Sequence, residues 1–97
     1  MANRFGISDE IFDGIVSILK RNNVKKAQIF GSRARGDWRD SSDIDLAIWL
    51  DDSMSEAEVW QELEQLPTIH KIDLVNYPGI SDTGFAAAIE RDGVDIV

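Results

Sequence analysis

Three aspartates and one glycine turn carry the strongest chemical signal in this chain. Asp43 and Asp45 are separated by Ile44. On an extended strand their side chains leave one face, while Ile44 and Leu46 leave the other. Two adjacent carboxylates repel each other, and a strand end is a costly place for that repulsion unless a cation binds. Mg2+ takes oxygen ligands, keeps several waters and is usually held by one or two carboxylates plus substrate phosphates. Asp73 repeats the pattern between Ile72 and Leu74. If the two strands are neighbours, the three carboxylates share an open face and can hold two metal ions roughly 3.5–4 Å apart. Taken alone, Asp43-Ile44-Asp45 reads better as a pair of surface aspartates. Asp73 and the turn upstream set that reading aside.

The turn is Gly31-Ser32, directly after an apolar run. Glycine has no Cβ, so a phosphate can approach its backbone closely. Backbone N–H groups at the start of a following helical turn attract anions, and Ser32 adds a hydroxyl donor. Arg33 and Arg35 follow and are able to give charge-assisted hydrogen bonds to a phosphate if they face it. An ordinary solvated loop is the competing reading for this arginine cluster, which Arg39 extends. A Walker phosphate loop is excluded, because no Gly-Lys-Ser/Thr follows, and the dinucleotide glycine fingerprint is also absent.

The elements that must position these residues are legible from apolar spacing. Ser8 can cap a helix whose inner face is Ile11, Ile15, Ile18 and Leu19, ending at Asn22-Asn23. Residues 24–30 read as a strand, broken by Gly31-Ser32, and a short helix or turn follows. Residues 43–50 alternate as a second strand, closed by Asp51-Asp52-Ser53. Ser55 and Glu58 form a capping box for a helix that turns Val59, Trp60 and Leu63 inward and stops before Pro67. Residues 71–76 are a third strand and Tyr77-Pro78-Gly79 a turn. Residues 82–91 are a helix with Phe85, Ala86 and Ile89 as its apolar face and Gly93 as its stop. Residues 94–97 add a last strand. The order predicts an α/β (α+β) domain, with a mixed sheet of about four or five strands and helices packed on one face.

Composition narrows the function classes. The chain has 97 residues, 43% hydrophobic and 29% charged, which suits one folded domain over 1–97. There is no cysteine, hence no disulfide and no thiolate metal site. No apolar run approaches the roughly 18–20 residues that span a bilayer, and the N-terminal residues lack the apolar stretch of a secretion signal. A cytoplasmic protein with no membrane association is expected. Net charge is −8 and the pI about 4.4. A face that neutralised many phosphates of a duplex would be basic, so direct nucleic-acid binding is not expected. A single nucleotide is different, since metal ions can neutralise both it and the carboxylates.

A glycine-serine turn, two aspartates one residue apart and a third aspartate on a later strand together resemble the DNA polymerase β-like nucleotidyltransferases. Gly-Ser-Arg-Ala-Arg-Gly followed by Ser-Asp-Ile-Asp-Leu is similar to the minimal nucleotidyltransferases (MNT) of that superfamily, over about residues 8–97. The resemblance implies two Mg2+ ions, with Mn2+ as a substitute, on Asp43, Asp45 and Asp73. It implies ATP as substrate, with Gly31 and Ser32 on its β- and γ-phosphates. It also implies attack by a hydroxyl on the α-phosphate, with Asp73 helping to deprotonate that hydroxyl. Minimal members pair with HEPN proteins as antitoxin and toxin and adenylylate a tyrosine of the HEPN ribonuclease. The resemblance therefore implies a HEPN-domain partner, in a homo- or hetero-oligomer. Two alternatives stay open: an antitoxin that neutralises its partner by binding alone, and a subunit that modifies an antibiotic or other small molecule. Trp38 either stacks on a base or partner or tucks into the core edge. His70 and Tyr77 read as surface and structural residues.

Overall fold

The computed structural model describes residues 5–50, 56–79 and 83–97. The expected turn at Asp51-Asp52-Ser53, the Ser55 cap and the start of the last helix at Asp82 lie outside the described residues.

Helix α1, Asp9–Arg21, forms as its sequence directs. The Ile11 N–H donates to Ser8 Oγ at 3.3 Å, Asp9 and Glu10 occupy the first turn, and Lys20 and Arg21 the last. Ile11, Ile15, Ile18 and Leu19 are buried. The helix ends where Asn23 turns left-handed at φ 60° and the Val24 N–H reaches back to the Leu19 carbonyl. That return contact takes Val24 out of the strand expected from residue 24. Strand β1 runs Lys26–Phe30.

Helix α2 is short, Ser32–Arg35, and strand β2 spans Ile44–Trp49. Helix α3, Glu56–Glu64, crosses over to strand β3, Ile72–Asn76, which ends in a 3-10 turn at Tyr77–Gly79. Helix α4, Thr83–Asp92, leads to strand β4, Val94–Asp95. The sheet order is β3-β2-β1-β4. β1 is antiparallel to β2 and to β4, and β2 is parallel to β3. This is the mixed α/β sheet that the sequence predicts.

Alternation sends Ala27, Ile29, Ile44, Leu46 and Ile48 to one face, where they meet α1 and Val59 and Leu63 of α3. Each fully buried aliphatic side chain there contributes about 1.5–3 kcal/mol. The other face is not bare. Ile89 of α4 packs on Phe30 and Ala47, with Trp49, Val75 and Tyr77 around them. A smaller apolar layer, absent from the expectation of helices over one face, thus covers part of the face that bears the aspartates. Among the described residues no helix is long and apolar enough to cross a membrane.

Candidate active site

The register of β2 and β3 brings the carboxylates together. Asp45 and Asp73 are direct partners across the parallel pair, and Asp43 lies one strand step before Asp45. Ile44, Leu46 and Ile72 go into the core from the same strands and fix which way the aspartates face. Asp45 is half-buried and Asp43 exposed. Burial pushes the Asp45 carboxyl up to about 6, and the neighbouring Asp73 and Asp43 charges push the same way, while Arg35 and Arg33 oppose them. No hydrogen bond is among the causes. Asp73 has a cation beside it, Lys71 Nζ at 3.3 Å, in an exposed pair. Sequence reading missed that partner, although residues two apart on a strand share a face and so signalled it.

The glycine turn sits against Asp45. Phe30, the residue before Gly31, is the cross-strand partner of Asp45. Gly31 has φ 75° and ψ −152°, and a Cβ built on it would run into Asp45 Oδ2. The position therefore requires glycine twice, for backbone conformation and for space. Ser32 opens α2, and its carbonyl accepts from Gly36 N–H at 2.9 Å and Asp37 N–H at 3.2 Å. Gly36, left-handed at φ 94°, ends the helix.

The two arginines expected at a phosphate are engaged elsewhere. Arg33 is 1% exposed. Its Nη1 donates to the carbonyls of Phe5 at 2.9 Å and Gly6 at 3.1 Å, and its Nη2 to that of Ser42 at 2.8 Å. His70 Nδ1 lies 3.4 Å from Nη2, and the Trp38 ring centre is 5.3 Å from the guanidinium carbon. A guanidinium held this way is not presented to a nucleotide; the protein's own carbonyls use its terminal donors. Burial lowers the pKa of Arg33, and the charges of Asp40, Asp43 and Asp45 act against that. Arg35 is more exposed and pairs with Asp92 Oδ2 at 3.0 Å and Asp37 Oδ2 at 3.3 Å, which ties α2 to the end of α4. Trp38 tucks against Gly6 and Arg33 at the core edge. His70, read as a surface residue, is half-buried at Arg33. No local pattern marks an arginine for burial, so the sequence gives no sign of this position for Arg33.

Among the described residues no three carboxylate or histidine groups gather closely enough to hold a metal ion by themselves. The donor chemistry nevertheless fits a hard cation. Asp45 is a crowded carboxylate held near two others, with no hydrogen bond among the described residues to relieve it. Mg2+ needs only one or two carboxylates when substrate phosphates complete its shell.

Comparisons with known proteins bear on the family and the fold. Residues 13–97 match the family model "Polymerase beta, Nucleotidyltransferase". A protein of Methanocaldococcus jannaschii named "Putative protein adenylyltransferase" is 31% identical over 74 residues, covering 74% of this chain and 80% of the relative. A crystal structure of a toxin-antitoxin with AMP-PNP superposes with TM-score 0.72 at 22% identity, over 89% of this chain and 72% of that one. A mutant of the toxin-antitoxin MntA-HpeT superposes with TM-score 0.70 at 19% identity, over 89% and 71%.

Proposed function

The chain belongs to the polymerase beta nucleotidyltransferase family, and from that premise we propose that it transfers AMP from ATP to a hydroxyl of a partner protein. The acceptor in this reading is a tyrosine of a HEPN toxin, and the chain is the antitoxin. The observation that carries the transferase reading is the pairing of Asp45 with Asp73 across β2 and β3, directly beside the Gly31 turn. Crowded carboxylates next to a close-approach glycine suit a metal-loaded triphosphate. The relative named as a protein adenylyltransferase supports a protein acceptor. The likeness to toxin-antitoxin structures, one of them with an ATP analogue, supports the partner.

Asp43, Asp45 and Asp73 would hold Mg2+, with Mn2+ as a substitute. When bound, the metal supplies positive charge that offsets both the triphosphate and the carboxylates. The chain's own residues do the rest. Gly31 lets the β- and γ-phosphates approach the backbone, and the Ser32 hydroxyl donates to them. Arg35 is the remaining cation of α2 for the triphosphate and must leave Asp92 to reach it. The acceptor hydroxyl oxygen forms a bond to the α-phosphorus as the bond from that phosphorus to the bridging oxygen breaks. Pyrophosphate leaves, and the hydroxyl proton passes to Asp73. Positioning and charge compensation account for the rate.

The test incubates this protein and the product of its neighbouring gene with labelled ATP and Mg2+, followed by intact-mass analysis of both. The expected result is one or more AMP units on the neighbour, lost when Asp43→Asn and Asp45→Asn are combined. A stable complex that silences the neighbour without any mass change would replace this reading with neutralisation by binding.

A further inference from the structure

The Arg33 guanidinium joins three segments that meet at the site, none of them a strand or a helix. Phe5 and Gly6 precede α1. Ser42 is the residue before Asp43, in the stretch between α2 and β2. His70 lies in the stretch between α3 and β3, three residues before Asp73. The backbone of Arg33 belongs to α2, one residue beyond the Gly31-Ser32 turn. One rigid side chain therefore connects the turn to the entry of each aspartate-bearing strand.

We propose that Arg33 is a positioning residue that sets the Asp43–Asp45 carboxylates and Asp73 at a fixed distance from the Gly31-Ser32 turn. The inference deepens the nucleotidyltransferase reading and rests on it for its consequence. The stretch from Gly36 to Asp43 has few bonds of its own. Arg39 N–H donates to Ser42 Oγ at 2.8 Å, Ser42 N–H donates to the Arg39 carbonyl at 2.9 Å, and Ile44 N–H donates to the Lys71 carbonyl at 2.8 Å. Gly36 and Asp37 stay on α2 through the Ser32 carbonyl and the Arg35 pair, whereas the bonds between Arg39 and Ser42 fold the far part of the loop on itself. The Arg33 bond to Ser42 attaches that far part to α2. Trp38, from the same loop, places its ring centre 5.3 Å from the guanidinium carbon, and the arginine is buried. The planar fork suits the task, because it serves carbonyls in different directions from one fixed plane. A lysine is a point charge and cannot hold all of them at once. Charge also agrees, since Arg33 is the buried cation that Asp43 and Asp45 feel.

The test compares the wild-type chain with Arg33→Lys by amide hydrogen exchange without nucleotide, and by AMP-PNP affinity with and without Mg2+. In the variant, exchange should quicken in residues 36–43 and 68–71, while β1 and β2 keep their protection. The Mg2+-dependent gain in affinity should fall about 10-fold, the usual effect of removing a group that orients metal ligands. Affinity without Mg2+ should change little, because the turn is intact. Unchanged exchange in residues 36–43 overturns the inference. So does an equal loss of affinity with and without Mg2+, since that is the mark of general loosening or of a direct contact with nucleotide. If Arg33→Lys does not fold, Trp38→Leu, which uncovers the guanidinium and leaves it in place, should quicken exchange in the same residues. Unchanged exchange there overturns the inference equally. A wild-type chain that shows no Mg2+-dependent gain, with the expected exchange pattern in the variant, would count against the nucleotidyltransferase reading and leave the positioning role standing.

Discussion

The carboxylate of Asp45 occupies the space into which a Cβ on Gly31 would project. Turn and carboxylate are thus fitted to each other, although 13 intervening residues separate them in the chain. Gly31→Ala should destabilise the protein by about 1–3 kcal/mol, because φ 75° strains an alanine and the added methyl displaces Asp45. It should also weaken AMP-PNP binding in Mg2+. Urea denaturation and calorimetric titration measure the two effects. A variant with unchanged stability would contradict the fitted geometry.

Metal-free stability should depend on pH through Asp45. Its carboxyl titrates at about 6 in the folded protein against 3.8 ordinarily. The folded state therefore binds the proton more tightly. As pH rises from about 4 to about 6 the unfolded chain loses its proton first, and stability falls, by something of order 1–3 kcal/mol. The groups around this carboxyl are Asp43 just before its own strand, Asp73 on β3, and Arg33 and Arg35 on α2. Asp45→Asn should be more stable than the wild type at pH 7 without metal. That advantage should disappear near pH 4. Thermal melts of both proteins across this range, in chelator, provide the check.

Asp43→Asn combined with Asp45→Asn should abolish AMP transfer and leave the fold intact, since neither side chain belongs to the core. Far-UV circular dichroism should match the wild type while product formation is lost. Residual transfer at the wild-type rate would remove these aspartates from the reaction.

Leu46 follows Asp45 and points into the core, with no exposure. Leu46→Ala should cost about 2–5 kcal/mol through lost burial and the cavity left behind. A small domain has about 5–15 kcal/mol in total, so the variant should melt at a clearly lower temperature. Phe85→Ala, at a side chain 47% exposed, should cost much less. The ring meets Phe30 edge-on at 6.3 Å, and that contact is part of the packing it would lose. Comparing the two melting temperatures tests the assigned depth of each residue.

Much of this protein is determined locally. Periodic apolar residues mark α1, β1, β2, α3, β3 and α4, because an apolar stripe at period 3.6 or 2 has only one way to reach a core. The same alternation that buries Ile44 and Leu46 obliges Asp43 and Asp45 to share the opposite face. Glycine at position 31 was legible too, since a turn directly after a strand needs its backbone freedom. Three relationships were decided by the tertiary structure alone. The parallel register of β2 and β3 made Asp73 the partner of Asp45 and not a distant aspartate. Packing of Ile89 on Phe30 and Ala47 put α4 on the carboxylate face. Arg33 was drawn inside because carbonyls from two separate segments, and the His70 ring from a third, converge on it. Each depends on contacts between residues far apart in the chain. Local spacing says which way a side chain leaves its own strand or helix, and only the packed fold decides what it meets.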